Sequence, residues 1–125
     1  MVSISTTSIA GRPAFLVDAG GPLLGTEDDA RELIQETFGS DIRTVVVPVE
    51  RLDSDFFVLR TGVAGAFVQK LVQYRLRLVI VGDISAHTAA SDALRDWVRE
   101  VNRGPDILFV TDQAALEARL TAEQA

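Results

Sequence analysis

The chain contains no cysteine and only one histidine, His87. The first absence removes disulfides, thiolate nucleophiles and cysteine-ligated metal centres together. The second leaves only carboxylate-rich metal sites, of the kind that suit Mg²⁺ or Ca²⁺, and no spacing in the sequence builds one. Neither a metal nor a cofactor is therefore expected. Basic residues are also scarce: 12 Lys and Arg against 18 Asp and Glu give a formal net charge of −6. Neutralising a phosphate backbone needs clustered Lys and Arg, so no nucleic-acid partner is expected. The longest apolar runs, Val45–Val47 and Leu78–Val81, are far too short to cross a bilayer. The opening MVSISTTSIAGRPAF has no basic start and no continuous apolar segment. No signal peptide and no membrane partner are read from it, and a cytoplasmic location is the default.

What is present suits one folded domain over residues 1–125, with 47% hydrophobic residues to supply a core. Val2, Ile4 and Thr6 alternate with serines, which is strand periodicity. Gly11-Arg12-Pro13 reads as a turn and Ala14–Val17 as a second strand, giving an N-terminal hairpin. Asp18 to Gly25 is glycine-rich and loop-like. Thr26 with Asp29 forms a capping-box pattern ahead of Ala30, Leu33, Ile34, Thr37 and Phe38 at helical spacing, with Gly39 as the stop. Arg43–Val47 is a β-branched strand closed by Pro48. Val63, Ala64, Phe67, Val68, Leu71 and Val72 form the apolar stripe of a second helix, and Gln69, Lys70 and Gln73 its solvated face.

Leu76–Val81 is apolar enough to be buried on both faces. Leu94, Trp97, Val98 and Val101 mark a third helix, with Trp97 on its core side, stopped by Asn102-Arg103-Gly104-Pro105. Ile107–Val110 is a last strand, and Thr111 caps a final helix carrying Leu116 and Leu120. The alternation predicts a single α/β domain: a mixed sheet with an N-terminal hairpin, later strands parallel through right-handed crossovers, and about four helices.

In such a fold the loops at the carboxyl ends of the strands share one rim. That rim gathers Glu50, Asp53 and Asp55, then Asp83, Ser85 and His87, then Thr111 and Asp112. Arg60, Thr61 and Gly62 stand there too, at the start of a helix whose free N–H groups suit an anion. Plain capping by Thr61 outweighs phosphate binding, because neither the P-loop lysine nor a dinucleotide fingerprint is present. Gly62 and Gly65 read as residues allowing close packing of the helix start. Asp83 reads as a turn or cap residue before it reads as an acid. His87 lies near Ser85 and Ser91, but no nucleophile elbow accompanies it, so it reads as a surface or cap histidine.

Between Asp55 and Ser85 the chain carries Asp55-Phe56-Phe57, Leu59-Arg60-Thr61-Gly62-Val63-Ala64-Gly65, Gln69-Lys70, Gln73-Tyr74 with Arg77-Leu78, and Ile80-Val81-Gly82-Asp83-Ile84-Ser85. Together with WVREVNRGPDILFV further on, this resembles a bacterial family known only as domain of unknown function 4180, over nearly the whole chain after the hairpin. The resemblance implies no activity. A looser one is to STAS domains, the fold of anti-sigma-factor antagonists and sulfate-transporter tails. These share a strand, Asp-Ser-Ser-Gly at a helix start, an amphipathic helix and an apolar strand. It implies a STAS-like fold and aligns Thr61 with the antagonists' phosphoacceptor serine. A phosphoryl group there would place about two negative charges at a helix N-terminus. Leu59-Arg60 stands where those domains carry an acid.

The leading expectation is a non-enzymatic, STAS-like binding or regulatory module. It would meet a protein partner or a small anionic ligand through Arg60, Thr61, Gly62, Gly65, Asp83, Ser85 and His87, with Thr61 as a candidate phosphoacceptor. The alternative is a small enzyme acting on a phosphate- or carboxylate-bearing metabolite through Arg60 and the rim carboxylates. A homodimer through the N-terminal strand or an exposed helix face is the general expectation for oligomeric state.

Overall fold

A computed structural model describes residues 3–124. Strands β1 (Ile4–Ile9) and β2 (Arg12–Val17) form the expected antiparallel hairpin; Val2, placed on the first strand by its alternation, lies outside the described residues. The hairpin turn is Ala10-Gly11, both at positive φ (53° and 77°), as a type I′ turn requires. It precedes the Gly11-Arg12-Pro13 turn expected from the sequence, so Pro13 sits inside β2. The strand tolerates it for a geometric reason. The bond from Asp18 N to Ser3 O (3.0 Å) fixes the ladder so that Pro13 nitrogen points away from β1. On that other side, β2 pairs with β3 only at Phe15 and Leu16.

Helix α1 (Glu27–Thr37) starts with the capping box its sequence announces. Thr26 Oγ1 accepts from Asp29 N (3.2 Å), and Asp29 Oδ2 accepts from Thr26 N (3.0 Å). Phe38 was expected on the apolar face, but the chain turns extended at that residue and leaves it 79% exposed. Then come β3 (Thr44–Pro48), three short 3₁₀ turns (Val49–Arg51, Ser54–Phe57, Leu59–Thr61) and α2 (Val63–Gln73). Strand β4 (Arg77–Val81) leads into a short α3 (Ser85–Ala90), then α4 (Asp92–Val101), β5 (Ile107–Val110) and α5 (Gln113–Gln124). The described residues thus hold five α-helices rather than about four. The additional one, α3, contains Ser85 and His87, whose sequence signals place them in a loop after β4. Asp112, not Thr111, caps α5: its Oδ1 accepts from Ala115 N at 2.8 Å.

The sheet order is β1-β2-β3-β4-β5, with β2 to β5 parallel. Each crossover advances one strand in the same direction, so right-handed connections put α1, α2 and α4 on one face. The packing follows. Phe15, Val17, Val45, Val47, Leu78, Ile80 and Phe109 meet Leu33, Phe67, Leu71 and Leu94 in the larger core. On the opposite face, Ile9, Ala14, Val46, Val79 and Leu108 are covered by Leu116 and Leu120 of α5. Strand β4 is therefore buried on both faces, as its apolarity indicated. Trp97 is half-buried, its ring edge-on to Phe109 with centroids 5.7 Å apart.

Candidate functional site

The carboxyl ends of the parallel strands open onto a rim built from the three 3₁₀ turns, the Asp18–Gly25 loop and α3. Its organiser is Arg51, which the sequence reading did not single out. This side chain is 1% exposed. Its Nη1 donates to the carbonyls of Asp18 (2.6 Å) and Gly20 (2.9 Å), and its Nε to that of Pro22 (2.9 Å). The cation is thus held by backbone dipoles, and it fastens the loop after β2 to the turn after β3. Main-chain bonds at the same place, Leu24 N to Arg51 O (2.6 Å) and Asp53 N to Leu24 O (2.9 Å), form a parallel bridge between Leu24 and Leu52. Nothing in the sequence distinguishes this arginine from its solvent-facing counterparts, because its partners are carbonyls that every residue carries.

Phe56 and Phe57 anchor the second turn. Phe56 is wholly buried and meets Phe57 and Phe67 edge-on, with centroids 5.5 and 5.8 Å away. Phe57 stacks on the imidazole of His87 at 4.2 Å and 12°. That stack brings α3 against the second turn, and between α3 and the Phe57–Arg60 segment lies a cavity of about 460 Å³. Arg60 and His87 both line it, with Phe57, Leu59, Ala90 and Ser91, and no carboxylate is in its wall. Arg60 forms no ion pair among the described residues.

Thr61 stands outside that cavity. It ends the third turn, and the residue at the N-cap position of α2 is Gly62, left-handed at φ 76°. The expected capping bond survives in altered form: Thr61 Oγ1 accepts from Val63 N (3.2 Å) while its hydroxyl faces the carbonyls of Val58 (2.7 Å) and Asp55 (3.1 Å). A phosphoryl group on Oγ1 would displace the hydrogen directed at those carbonyls. Close packing does not explain Gly62 or Gly65, since a Cβ on either would meet nothing within 4 Å. Gly62 is required by its positive φ, whereas Gly65 is an exposed position inside α2.

Asp83 and Ser85 form a separate locus. Asp83 Oδ1 accepts from Ser85 N at 2.8 Å, a turn of the kind the sequence suggested. The Ser85 hydroxyl first, and its backbone N–H second, hold the exposed Asp83 carboxyl below its usual range. These two residues line a different cavity, of about 300 Å³, with Thr88, Asn102 and Thr111. Gly82, just before them, has φ 148°, and a Cβ there would lie 2.7 Å from Val49 Cβ. So the residues expected to share one rim divide into Arg60 with His87, Asp83 with Ser85, and a helix start at Thr61-Gly62. Among the described residues no three His, Asp or Glu side chains converge in a way that could hold a metal ion.

The opposite rim, at the amino ends of the strands, carries more arginine; three of these side chains converge on one carboxylate, and Arg43 forms no ion pair among the described residues. Arg77 makes a bidentate contact with Glu123 (2.8 and 2.7 Å), and Arg12 and Arg119 reach the same carboxylate at 3.7 and 3.1 Å.

The family motifs fall on this framework. Asp55-Phe56-Phe57 forms the second turn, Leu59–Gly65 the third turn and α2 start, and Gly82-Asp83 the step just after β4. A family model, Domain of unknown function (DUF4180), matches residues 9–120. The chain belongs to the DUF4180 family. No curated protein and no solved structure matches it. The DUF4180 match spans all five strands at least in part and both rims. No helix among the described residues is long and apolar enough to cross a membrane.

Proposed function

We propose that this DUF4180 chain is a non-enzymatic, STAS-like binding module that takes a small phosphate- or carboxylate-bearing ligand beside Arg60. The observation that carries this reading is the cavity shared by Arg60 and His87, acid-free in its walls and lined otherwise by Ser91 and apolar side chains. An unpaired guanidinium presents a planar fork matched to an oxyanion, and the imidazole offers a further N–H. Phe57, Leu59 and Ala90 suit an apolar remainder on the ligand. Binding is favoured over catalysis because the imidazole stacks on Phe57 and no carboxylate or nucleophile is paired with it. The one-directional β–α progression supports the STAS-like reading of the architecture.

Titration calorimetry with inorganic phosphate, succinate and glycerol 3-phosphate tests the proposal. At least one probe binds the wild type, and Arg60→Gln weakens it by about tenfold or more, as loss of a charge-assisted contact requires. Arg43→Gln, on the opposite rim, leaves it unchanged. Absence of heat with all three probes, or equal affinity in Arg60→Gln, overturns the assignment.

A further inference from the structure

The two edges of the sheet are treated differently. At β5, the Asn102 side chain fills the outward main-chain groups of Phe109, at the middle of the edge. Its Nδ2 donates to Phe109 O (3.2 Å), and its Oδ1 accepts from Phe109 N (2.7 Å). At β1 nothing comparable occurs. The bond from Asp18 N to Ser3 O sets Ser3, Ser5, Thr7 and Ile9 to pair with β2, so Ile4, Thr6 and Ser8 direct their N–H and C=O groups outward. No partner meets these groups among the described residues. Edge strands ordinarily discourage pairing with a charge, a proline, a bulge or a covering segment. The segment Ile4–Ile9, ISTTSI, has no charge and no proline, keeps an unbroken register with β2, and leaves Ser5, Thr6 and Ser8 exposed.

We propose that β1 is a self-association edge, pairing antiparallel with β1 of a second copy about a two-fold axis at Thr6. The register follows from which groups face out. In a two-fold pair perpendicular to the sheet, opposed side chains share a face, so even residues must oppose even residues. Thr6 opposite Thr6 of the second copy, with Ile4 opposite Ser8 on either side, makes three outward pairs exchanging two bonds each, about six bonds in all. Centring on Ser5 or Thr7 leaves only two such pairs within the strand. The chosen register also sets Ser5 against Thr7 on the other face, so the central contacts are hydroxyl pairs, which are favourable across strands. No like charges meet at the axis. The hairpin corner with Arg12 in one copy lies at the same end as Asp18 in the other. They are separated by three strand spacings (about 14 Å), a weak and largely screened attraction of the right sign.

A six-residue edge buries less than the roughly 1,200 Å² of a standard stable interface, so the dimer is a weak one, with a dissociation constant on the order of 100 μM. Sedimentation velocity across a concentration series reads it directly. Wild type shifts from monomer to dimer with concentration, as does Thr6→Val, which keeps the N–H. Thr6→Pro stays monomeric throughout, and because that N–H makes no bond within the chain, the hairpin itself is retained. A nuclear Overhauser effect between Ser5 Hα and Thr7 Hα, in a sample mixing labelled and unlabelled chains, reports the register in the wild type, independently of any variant. Monomer at millimolar concentration, or a dimer that survives Thr6→Pro and lacks the Ser5–Thr7 effect, overturns the proposal.

Discussion

Replacing Arg51 by methionine perturbs the residue that holds the carboxyl-end rim together. Three hydrogen bonds from a cationic donor are worth about 1.5–3 kcal/mol each in favourable settings. Burying a guanidinium without a carboxylate costs several kcal/mol of hydration, so much of that sum cancels. The decisive quantity is what the variant leaves behind. Methionine fills most of the volume, but the carbonyls of Asp18, Gly20 and Pro22 lose their donor, at about 1–3 kcal/mol for each that stays dry. Asp18, Gly20 and Pro22 are themselves exposed, so water reaches some of these carbonyls, and a net loss of about 3 kcal/mol follows. That is a large part of the roughly 5–15 kcal/mol of a typical domain. Urea unfolding followed by the single tryptophan, Trp97, measures it. Hydrogen exchange localises it, because the Leu24 and Asp53 amides of the rim bridge lose protection first. Arg51→Lys, which keeps the charge but not the fork, falls between the two. A loss below about 0.5 kcal/mol in Arg51→Met, with both amides still protected, refutes the reasoning, since that is the scale of an ordinary surface substitution.

The other rim gives a pH-dependent outcome. The Arg77 fork holds the Glu123 carboxyl down at about 2, against 4.5 when free, so its contribution is full above about pH 5 and is lost as pH falls toward 2. Glu123 keeps 28% of its side-chain exposure, and screening reduces the contribution to about 1 kcal/mol. Glu123→Gln should therefore be less stable than wild type at pH 7, the difference narrowing as denaturation is followed toward pH 3. Gly65→Ala should raise stability by about 0.5–1 kcal/mol in thermal denaturation, because the position is helical and open. Gly82→Ala should lower it by at least about 2 kcal/mol, through positive φ and collision with Val49. Asn102→Ala should cost about 1–3 kcal/mol and speed exchange of the Phe109 amide, whose partner it removes.

Most of the framework was legible in the sequence because it rests on periodicity. The Val63–Val72 stripe, the β-branched run expected at Arg43–Val47 and the Thr26–Asp29 box each encode a local geometry, and each forms, the strand shifted by one residue to Thr44–Pro48. Pro13 and α3 depart from their local pattern because a non-local neighbour decides. Pro13 carries a turn signal, yet it sits in β2, where its missing donor is harmless because β3 does not reach that far along β2. Helix α3, with SAHTAA, has no apolar stripe, and Phe57 stacking on His87 fixes its place instead. Phe38 kept helical spacing after the helix had ended. The candidate site was legible as a set of residues on one rim but not as separate loci. The three 3₁₀ turns that carry Arg60 toward His87 and away from Asp83 leave no period to read. Arg51 was illegible for a similar reason, as its cage is main chain.

Chemical-shift mapping during titration with inorganic phosphate, succinate and glycerol 3-phosphate tests the central claim most directly, because both rims carry arginine and the mapping reports which of them meets the probe. The account predicts that the Arg60 Nε–H signal and the amides around Phe57–Arg60 and Ala86–Ala93 move together with at least one probe, and that Arg12, Arg43 and Arg77 stay still. Shifts confined to those three arginines, or none in the Arg60–His87 cavity with any probe, contradict it.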